Sequence, residues 1–223
     1  MIRCIDLCKT YRQGGSEITA LAGVSLDIPA GAFAVIMGPS GSGKSTVLHL
    51  IGGLDRPSSG DVLVDGRLIG QMPDDQVTLF RRRKIGFVFQ FFNLLPTLSA
   101  LENIALPLVL DGQPKADAAR RAEDLLVKVG LENRRDHLPE QLSGGEIQRI
   151  AVARALAFDP PIVLADEPTG NLDSKNGEVV LGLLEKINRE DGCTVVMVTH
   201  SQEAAQRGMQ RILLRDGKVE AQS

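Results

Sequence analysis

The sequence predicts an α/β fold, a buried sheet of alternating strands and helices with a β-rich start and a helical insertion in the middle. Three observations lead there. Phe33-Ala-Val-Ile-Met37, Ile162-Val-Leu-Ala165 and Thr194-Val-Val-Met-Val198 are short apolar runs with the length and composition of strands buried on both faces. A glycine-rich loop, Gly38 to Ser45, separates the first of these runs from a helical stretch. Between roughly 91 and 155 the strand signals stop and helix-start signals take over.

Composition sets the limits. A chain of 223 residues suits one large α/β domain, or one core with a smaller inserted lobe. With 43% hydrophobic and 24% charged residues, a folded domain is expected rather than disorder. A net charge of −3 argues against a nucleic-acid partner, for which a basic surplus is usual. No stretch reaches the roughly 18 consecutive apolar residues that cross a bilayer. The opening Met-Ile-Arg-Cys-Ile-Asp lacks the apolar core of a signal peptide. The expectation is a cytoplasmic protein whose membrane role, if it has one, comes through docking. Cys4, Cys8 and Cys193 form no CxxC pair and have no neighbouring ligand cluster, so they read as reduced, buried or incidental thiols.

The elements follow in order. The first 37 residues read as short strands: Val24 to Ile28 alternates, Pro29-Ala-Gly31 turns, and Phe33 to Met37 is a buried strand. Lys44 to Ile51 reads as a helix stopped by Gly52-Gly53. Asp61 to Asp65 alternates into a hairpin signal at Asp65-Gly66, and residues 85–89 make another strand. Ser99-x-x-Glu102 and Ser143-x-x-Glu146 have capping-box spacing. Ala116 to Val129 has helical periodicity and stops at Gly130. Ile162 to Ala165 is a buried strand, 177–190 a helix and Thr194 to Val198 a strand. Ile212 to Leu214 and Lys218-Val219 close a hairpin around Asp216-Gly217.

The loop Gly38-Pro-Ser-Gly-Ser-Gly-Lys-Ser45 matches the phosphate-binding pattern G-x-x-x-x-G-K-[ST] in full, between a strand and a helix as that pattern requires. Glycines let successive N–H groups curl around phosphates, and the helix behind presents its positive end to the same place. Lys44 adds a mobile cation for the β- and γ-phosphates, and Ser45 can put a hydroxyl on Mg²⁺. The ATP-binding candidates are Gly38, Pro39, Ser40, Gly41, Ser42, Gly43, Lys44, Ser45 and Thr46. Asp166 and Glu167 end an apolar strand, where α/β sheets place ligand-binding groups. Beside a phosphate loop, Asp166 reads as a Mg²⁺ ligand, direct or through water, and Glu167 as the group that polarises the attacking water.

Between these sites lies Leu142-Ser-Gly-Gly-Glu146, continuing Ile-Gln-Arg-Ile-Ala-Val-Ala-Arg154. Here the chain resembles the ATPase subunits of ABC transporters, and the order of motifs fits along nearly its whole length. The resemblance implies a P-loop NTPase (RecA-like) core with an antiparallel β subdomain, built from 1–90 and 156–223, and an inserted α-helical subdomain at 91–155. It implies that Tyr11 stacks on adenine. Gln90 links core to lobe and reaches Mg²⁺ or water, and His200 contacts the γ-phosphate. Ser143, Gly144, Gly145 and Glu146 form the signature that covers the ATP of a partner subunit, and Asp173 organises the partner's site. Glu146 stands where the family more usually has glutamine. Each residue also has a plainer reading: core packing for Tyr11, a capping box for Ser143 with Glu146, a surface amide for Gln90, a structural histidine for His200 and a solvated loop acid for Asp173.

The implied cofactors are ATP and Mg²⁺. The implied partners are a second ATPase subunit, in a homodimer, and an integral membrane permease subunit that holds this one at the inner face of the cell membrane. Arg81 to Lys84 reads as a solvated basic helix end rather than a nucleic-acid or anionic-lipid patch. Phe91 to Pro96 reads as split between filling the lobe and docking on the membrane subunit. Ile36 to Lys44, Phe87 to Leu98 and Thr169 to Ser174 resemble the lipoprotein-release and macrolide-export branch, with cell-division ATPases close by. The alternatives are a non-transport ABC ATPase acting in cell division, on DNA or on ribosomes, and a small P-loop kinase. The first usually shows a coiled-coil insertion or two cassettes in one chain; the second needs no Ser143 motif.

Overall fold

The computed structural model describes residues 1–223, apart from the side chain of Gln13. In chain order the strands and helices are β1 (Ile2–Gln13), β2 (Ser16–Ile28), β3 (Phe33–Met37), α1 (Lys44–Ile51), β4 (Ser59–Val64), β5 (Arg67–Leu68), α2 (Asp74–Lys84) and β6 (Ile85–Val88). They continue with α3 (Ala100–Leu110), α4 (Lys115–Lys128), α5 (Gly144–Ala155), β7 (Ile162–Asp166), α6 (Ser174–Asp191), β8 (Thr194–Thr199), α7 (Gln202–Ala205), β9 (Gln210–Arg215) and β10 (Lys218–Gln222).

Two sheets organise the molecule. The larger has the order β10-β9-β3-β8-β7-β6, with β9, β3, β8, β7 and β6 mutually parallel and β10 antiparallel at one edge. The apolar runs are its centre, and their continuous hydrophobicity has a simple cause. Along β3, β7 and β8, side chains alternate between two cores: Phe33, Val35, Val163, Ala165, Val195 and Met197 enter one, while Ala34, Ile36, Ile162, Leu164, Val196 and Val198 enter the other. The first core is closed by α3, α4, α5 and α6, the second by α1 and the smaller sheet. A strand buried on both faces must be apolar at every position.

The smaller sheet is antiparallel, in the order β2-β1-β4-β5. Its first two strands correct the expectation of short strands, for they run 12 and 13 residues. In β2 the buried alternation begins only near Leu21; residues 16–19 are exposed and leave no hydrophobic period to read. They are strand because their backbone pairs with Thr10 to Gln13. Register shifts between Cys4 and Leu7 and again between Lys9 and Thr10 further blur the pattern of β1.

Among the helices, α1 matches the expected span, and α3 and α5 start at the two expected capping boxes. Helix α6 starts at Ser174 rather than 177. Asp173 caps it by accepting from the Asn176 N–H, a signal masked by the poor helix formers Asn176 and Gly177. Helix α2 buries only Phe80, so it has no apolar stripe to announce it.

Candidate functional site

Because β3, β6, β7 and β8 are parallel, their C-terminal ends share one edge of the sheet. The chain leaves that edge as the Gly38 loop after β3, the segment to Gln90 after β6, Asp166-Glu167 at the end of β7 and His200 after β8. Residues scattered over the sequence thus converge where open α/β sheets place their ligands.

The loop is built around its glycines and Lys44. Gly43 has φ 97°, and a Cβ there would lie 2.6 Å from the Ala20 carbonyl oxygen, so only glycine fits at the start of α1. Lys44 is nearly buried and donates to the Gly38 and Pro39 carbonyls at 3.0 and 2.9 Å. Its ammonium is held inside the loop, where phosphate oxygens can replace two neutral carbonyls. Ser45 Oγ donates to Asp166 Oδ1 at 2.9 Å, across 121 residues of sequence. Burial raises the pKa of Asp166, partly opposed by the Ser45 hydrogen bond and by His49, whose Nε2 lies 3.8 Å from Oδ2. A desolvated carboxylate beside a hydroxyl is a donor set that favours a hard cation. Among the described residues no three or more His, Cys, Asp and Glu side chains are placed to hold a metal ion by themselves, so a cation here would complete its shell from phosphate oxygens and water.

Glu167 sits in left-handed backbone at φ 47°, an uncommon state for a residue with a Cβ that costs of order 1–3 kcal/mol. The turn sends its carboxylate toward His200, whose Nδ1 lies 2.9 Å from Oε2. The His200 ring is largely exposed while Glu167 is mostly covered, so the pair has one arm toward solvent. Gln90 faces the loop after β7: its Nε2 donates to Asn171 Oδ1 at 3.4 Å, and Asn171 returns a bond to the Gln90 carbonyl at 2.9 Å.

Tyr11 lies on the smaller sheet and is 39% exposed as a residue, which excludes simple core packing. Its hydroxyl donates to Asp55 at 2.9 Å, and the Lys9 ammonium, bonded to the same carboxylate at 2.6 Å, lies 4.8 Å from the ring centroid.

The signature residues occupy the N-terminus of α5. Ser143 Oγ accepts the Glu146 N–H at 3.3 Å and donates to Glu146 Oε2 at 2.8 Å; the same oxygen takes the Ser143 N–H at 2.8 Å. Glu146 Oε1 is bonded to Arg134 Nε at 2.8 Å. The Arg134 hydrogen bond, first, and those from Ser143 hold the carboxyl down at about 2. Gly145 packs so closely on α6 that a Cβ would meet Asn176 Oδ1 at 2.3 Å. Asp173, capping α6, therefore sits close to the signature. Among the described residues no hydrogen bond or ion pair joins Ser143, Gly144 or Gly145 to the phosphate loop of their own chain. The arrangement leaves an open helix N-terminus for an anion brought from elsewhere.

Several residues escaped the sequence. Gln148, fully buried on the α5 face that also buries Gly145 and Val152, donates to the Pro168 carbonyl at 2.8 Å and the Phe89 carbonyl at 3.3 Å. It ties the signature helix to the loops after β6 and β7; a glutamine on an apolar helix face was its signal. Asp55, His49 and Arg134 gave none, since only folding reveals their partners.

The basic run is a helix end, as expected, but it is not free in solvent. Arg81 donates to the Gly53 carbonyl at 2.9 Å, and Arg82 and Arg83 grip Asp111 at 2.6 and 2.5 Å. Phe91 to Pro96 divides: Leu94 packs on the helical core, while Phe91 is 74% exposed and Leu95 44%. Arg154 holds this turn by bonding the Phe92 and Asn93 carbonyls, both in left-handed backbone. Cys4 and Cys193 are buried thiols pushed up to about 12, first by burial and then by Asp27 and Asp191 respectively, and so unreactive.

A family model described as "ABC transporter" matches residues 21–170. An ABC transporter ATP-binding protein of Thermotoga maritima is 50% identical over 220 residues, covering 99% of this chain and 94% of the relative. The lipoprotein-releasing system ATP-binding protein LolD of Syntrophus aciditrophicus is 48% identical over 219 residues, covering 98% of each. Among solved structures, the dimeric post-hydrolysis state of the ATP-binding cassette MJ0796 of Methanocaldococcus jannaschii, bound to ADP and Pi, superposes with a TM-score of 0.92. The two are 49% identical over 100% of this chain and 98% of that one.

Proposed function

The chain belongs to the ABC transporter family, and from that premise we propose that it binds and hydrolyses ATP as one half of a dimer that drives a separate membrane subunit. The observation that carries the reading is the 2.9 Å bond from Ser45 to Asp166, which sets hydroxyl and carboxylate together at the mouth of the phosphate loop. The neighbour's dimer with ADP and Pi supports hydrolysis across two chains.

The residues take these parts. The loop Gly38 to Thr46 wraps the phosphates, and Lys44 leaves its two carbonyls for the β- and γ-oxygens. Ser45, Asp166 and Gln90 would hold Mg²⁺, which when bound supplies charge neutralisation between the phosphates. Glu167 accepts a proton from the attacking water, and His200, tied to Glu167, reaches the γ-phosphate. Tyr11 offers its exposed ring to adenine. Ser143, Gly144 and Gly145 cover the γ-phosphate held by the other chain, with Asp173 beside them. The nucleotide's charge thus joins the subunits, and its hydrolysis releases them.

The helical part, 91–155, is the lobe that passes this motion on. A groove lined by Phe87, Phe89, Asn93, Pro107 and Phe158 is a surface suited to a helix of the membrane subunit, and Phe91 and Leu95 add exposed apolar side chains in the segment after Gln90. Likeness to the lipoprotein-releasing relative supports a transporter of that branch, with this subunit at the cytoplasmic face. Calorimetry of Lys44→Ala tests the site: ATP affinity falls at least about tenfold with the loss of a charged donor. Unchanged affinity would remove the phosphate loop from the account.

A further inference from the structure

The signature of this chain carries an anion where it is asked to receive one. Glu146 at the third position of α5 suits the helix alone, because a carboxylate there completes the capping box and meets the positive helix end. The partner's γ-phosphate needs that same end. Two anions at one helix N-terminus repel, and more strongly the less water lies between them.

The hydroxyl of Ser143 has a second conflict. Its proton lies on Glu146 Oε2, at 2.8 Å. A phosphate oxygen can only accept, so Ser143 must take its proton off the carboxylate before it can bind the γ-phosphate. Oε2 then loses one of its two donors.

Arg134, on the 3₁₀ turn Glu132–Arg134, answers both. Its Nε already donates to Oε1 at 2.8 Å, and its charge compensates the carboxylate. Its two terminal nitrogens make no hydrogen bond among the described residues, and the side chain is 43% exposed, so it has room to turn. A guanidinium that already holds one carboxylate oxygen by Nε can close on the other by a terminal nitrogen, in the fork geometry that matches the two groups. We propose that Arg134 is a positioning residue for the signature: it neutralises Glu146 and takes over Oε2 when the Ser143 hydroxyl turns to the partner's γ-phosphate. The step moves no covalent bond; one hydroxyl hydrogen bond is exchanged for another, and a guanidinium bond replaces the one given up. The inference rests on the shared-site reading above.

The test measures ATP-driven dimerisation in the Glu167→Gln background. With glutamate at 146, Arg134→Ala weakens dimerisation about tenfold, the scale of a partly covered charged pair left single. In chains that also carry Glu146→Gln, the same Arg134→Ala changes it less than about twofold, because no carboxylate is left to neutralise. Arg134→Lys keeps the charge but not the fork and recovers part of the loss. ATP affinity of the single chain stays the same for Arg134→Ala, which shows that the protein is folded and its own loop intact. Equal losses with glutamate and with glutamine at 146 would overturn the proposal, as would no loss in either. If the Glu167→Gln chain fails to dimerise with ATP while Arg134 is in place, the shared-site reading falls, and this inference falls with it.

Discussion

Tyr11 is the only tyrosine and the chain has no tryptophan, so aromatic emission excited near the phenol band comes from one ring beside the proposed base site. Asp55 and Lys9 hold that ring by its hydroxyl and its face. A ring fixed before the ligand arrives loses little entropy on stacking. ATP should therefore change the emission of Tyr11, whereas inorganic triphosphate, which has no base, should leave it unchanged. Tyr11→Ala should weaken ATP binding by about 1–3 kcal/mol, the range for base–aromatic stacking. Equal responses to ATP and triphosphate would mean that the ring does not meet the base. At this scale legibility divides by how the residue's partner is found. Lys44, Ser45, Asp166 and Glu167 sit in local patterns whose chemistry can be read in place. Asp55 meets Tyr11 from 44 residues away and Arg134 meets Glu146 around a turn, so neither partner is written near its mate.

Helix α5 shows how one element serves stability and function together. Its capping box was legible because Ser143 and Glu146 stand three apart, and the structure adds the Arg134 tie. That tie has a pH dependence with a definite sign. The folded-state pKa of Glu146 is lowered from 4.5 to about 2, so its contribution is complete above 4.5 and is lost as pH falls toward about 2. Glu146→Gln should therefore melt below the unaltered protein at pH 7, and the gap should narrow steadily between pH 4.5 and 2. A gap that does not change with pH would mean that the carboxylate charge contributes nothing. The start of α6 lies three residues before the helical pattern in the sequence begins, because Asn176 and Gly177 are poor helix formers that Asp173 nonetheless caps into helix. The start of β2 is unreadable for a different reason: both faces are exposed over residues 16–19, so backbone pairing with the end of β1 alone makes it strand. Hydrophobic period reports burial, and elements that bury little go unannounced.

The whole molecule sets its chemistry along one sheet edge and leaves half of the proposed site facing outward. Lys44, Asp166, Glu167 and His200 sit at or just beyond the C-terminal ends of strands β3, β7 and β8, which are packed between the two cores. The α/β class was legible because doubly buried strands are apolar throughout and the phosphate loop names the edge they share. The antiparallel sheet was expected only through the family resemblance, and its strand order was not legible, since long-range pairing leaves no local mark. Among the described residues no hydrogen bond or ion pair joins the signature on α5 to the phosphate loop of its own chain, which is why a shared site needs a second copy. Glu167→Gln tests this most directly. It keeps the phosphate loop and the signature but removes the carboxylate proposed to take the water's proton, so ATP should bind and remain. Light scattering at micromolar protein should report the mass of one chain without nucleotide and of two chains with ATP. A variant that binds ATP and stays at the mass of one chain would contradict the claim that two chains share each site.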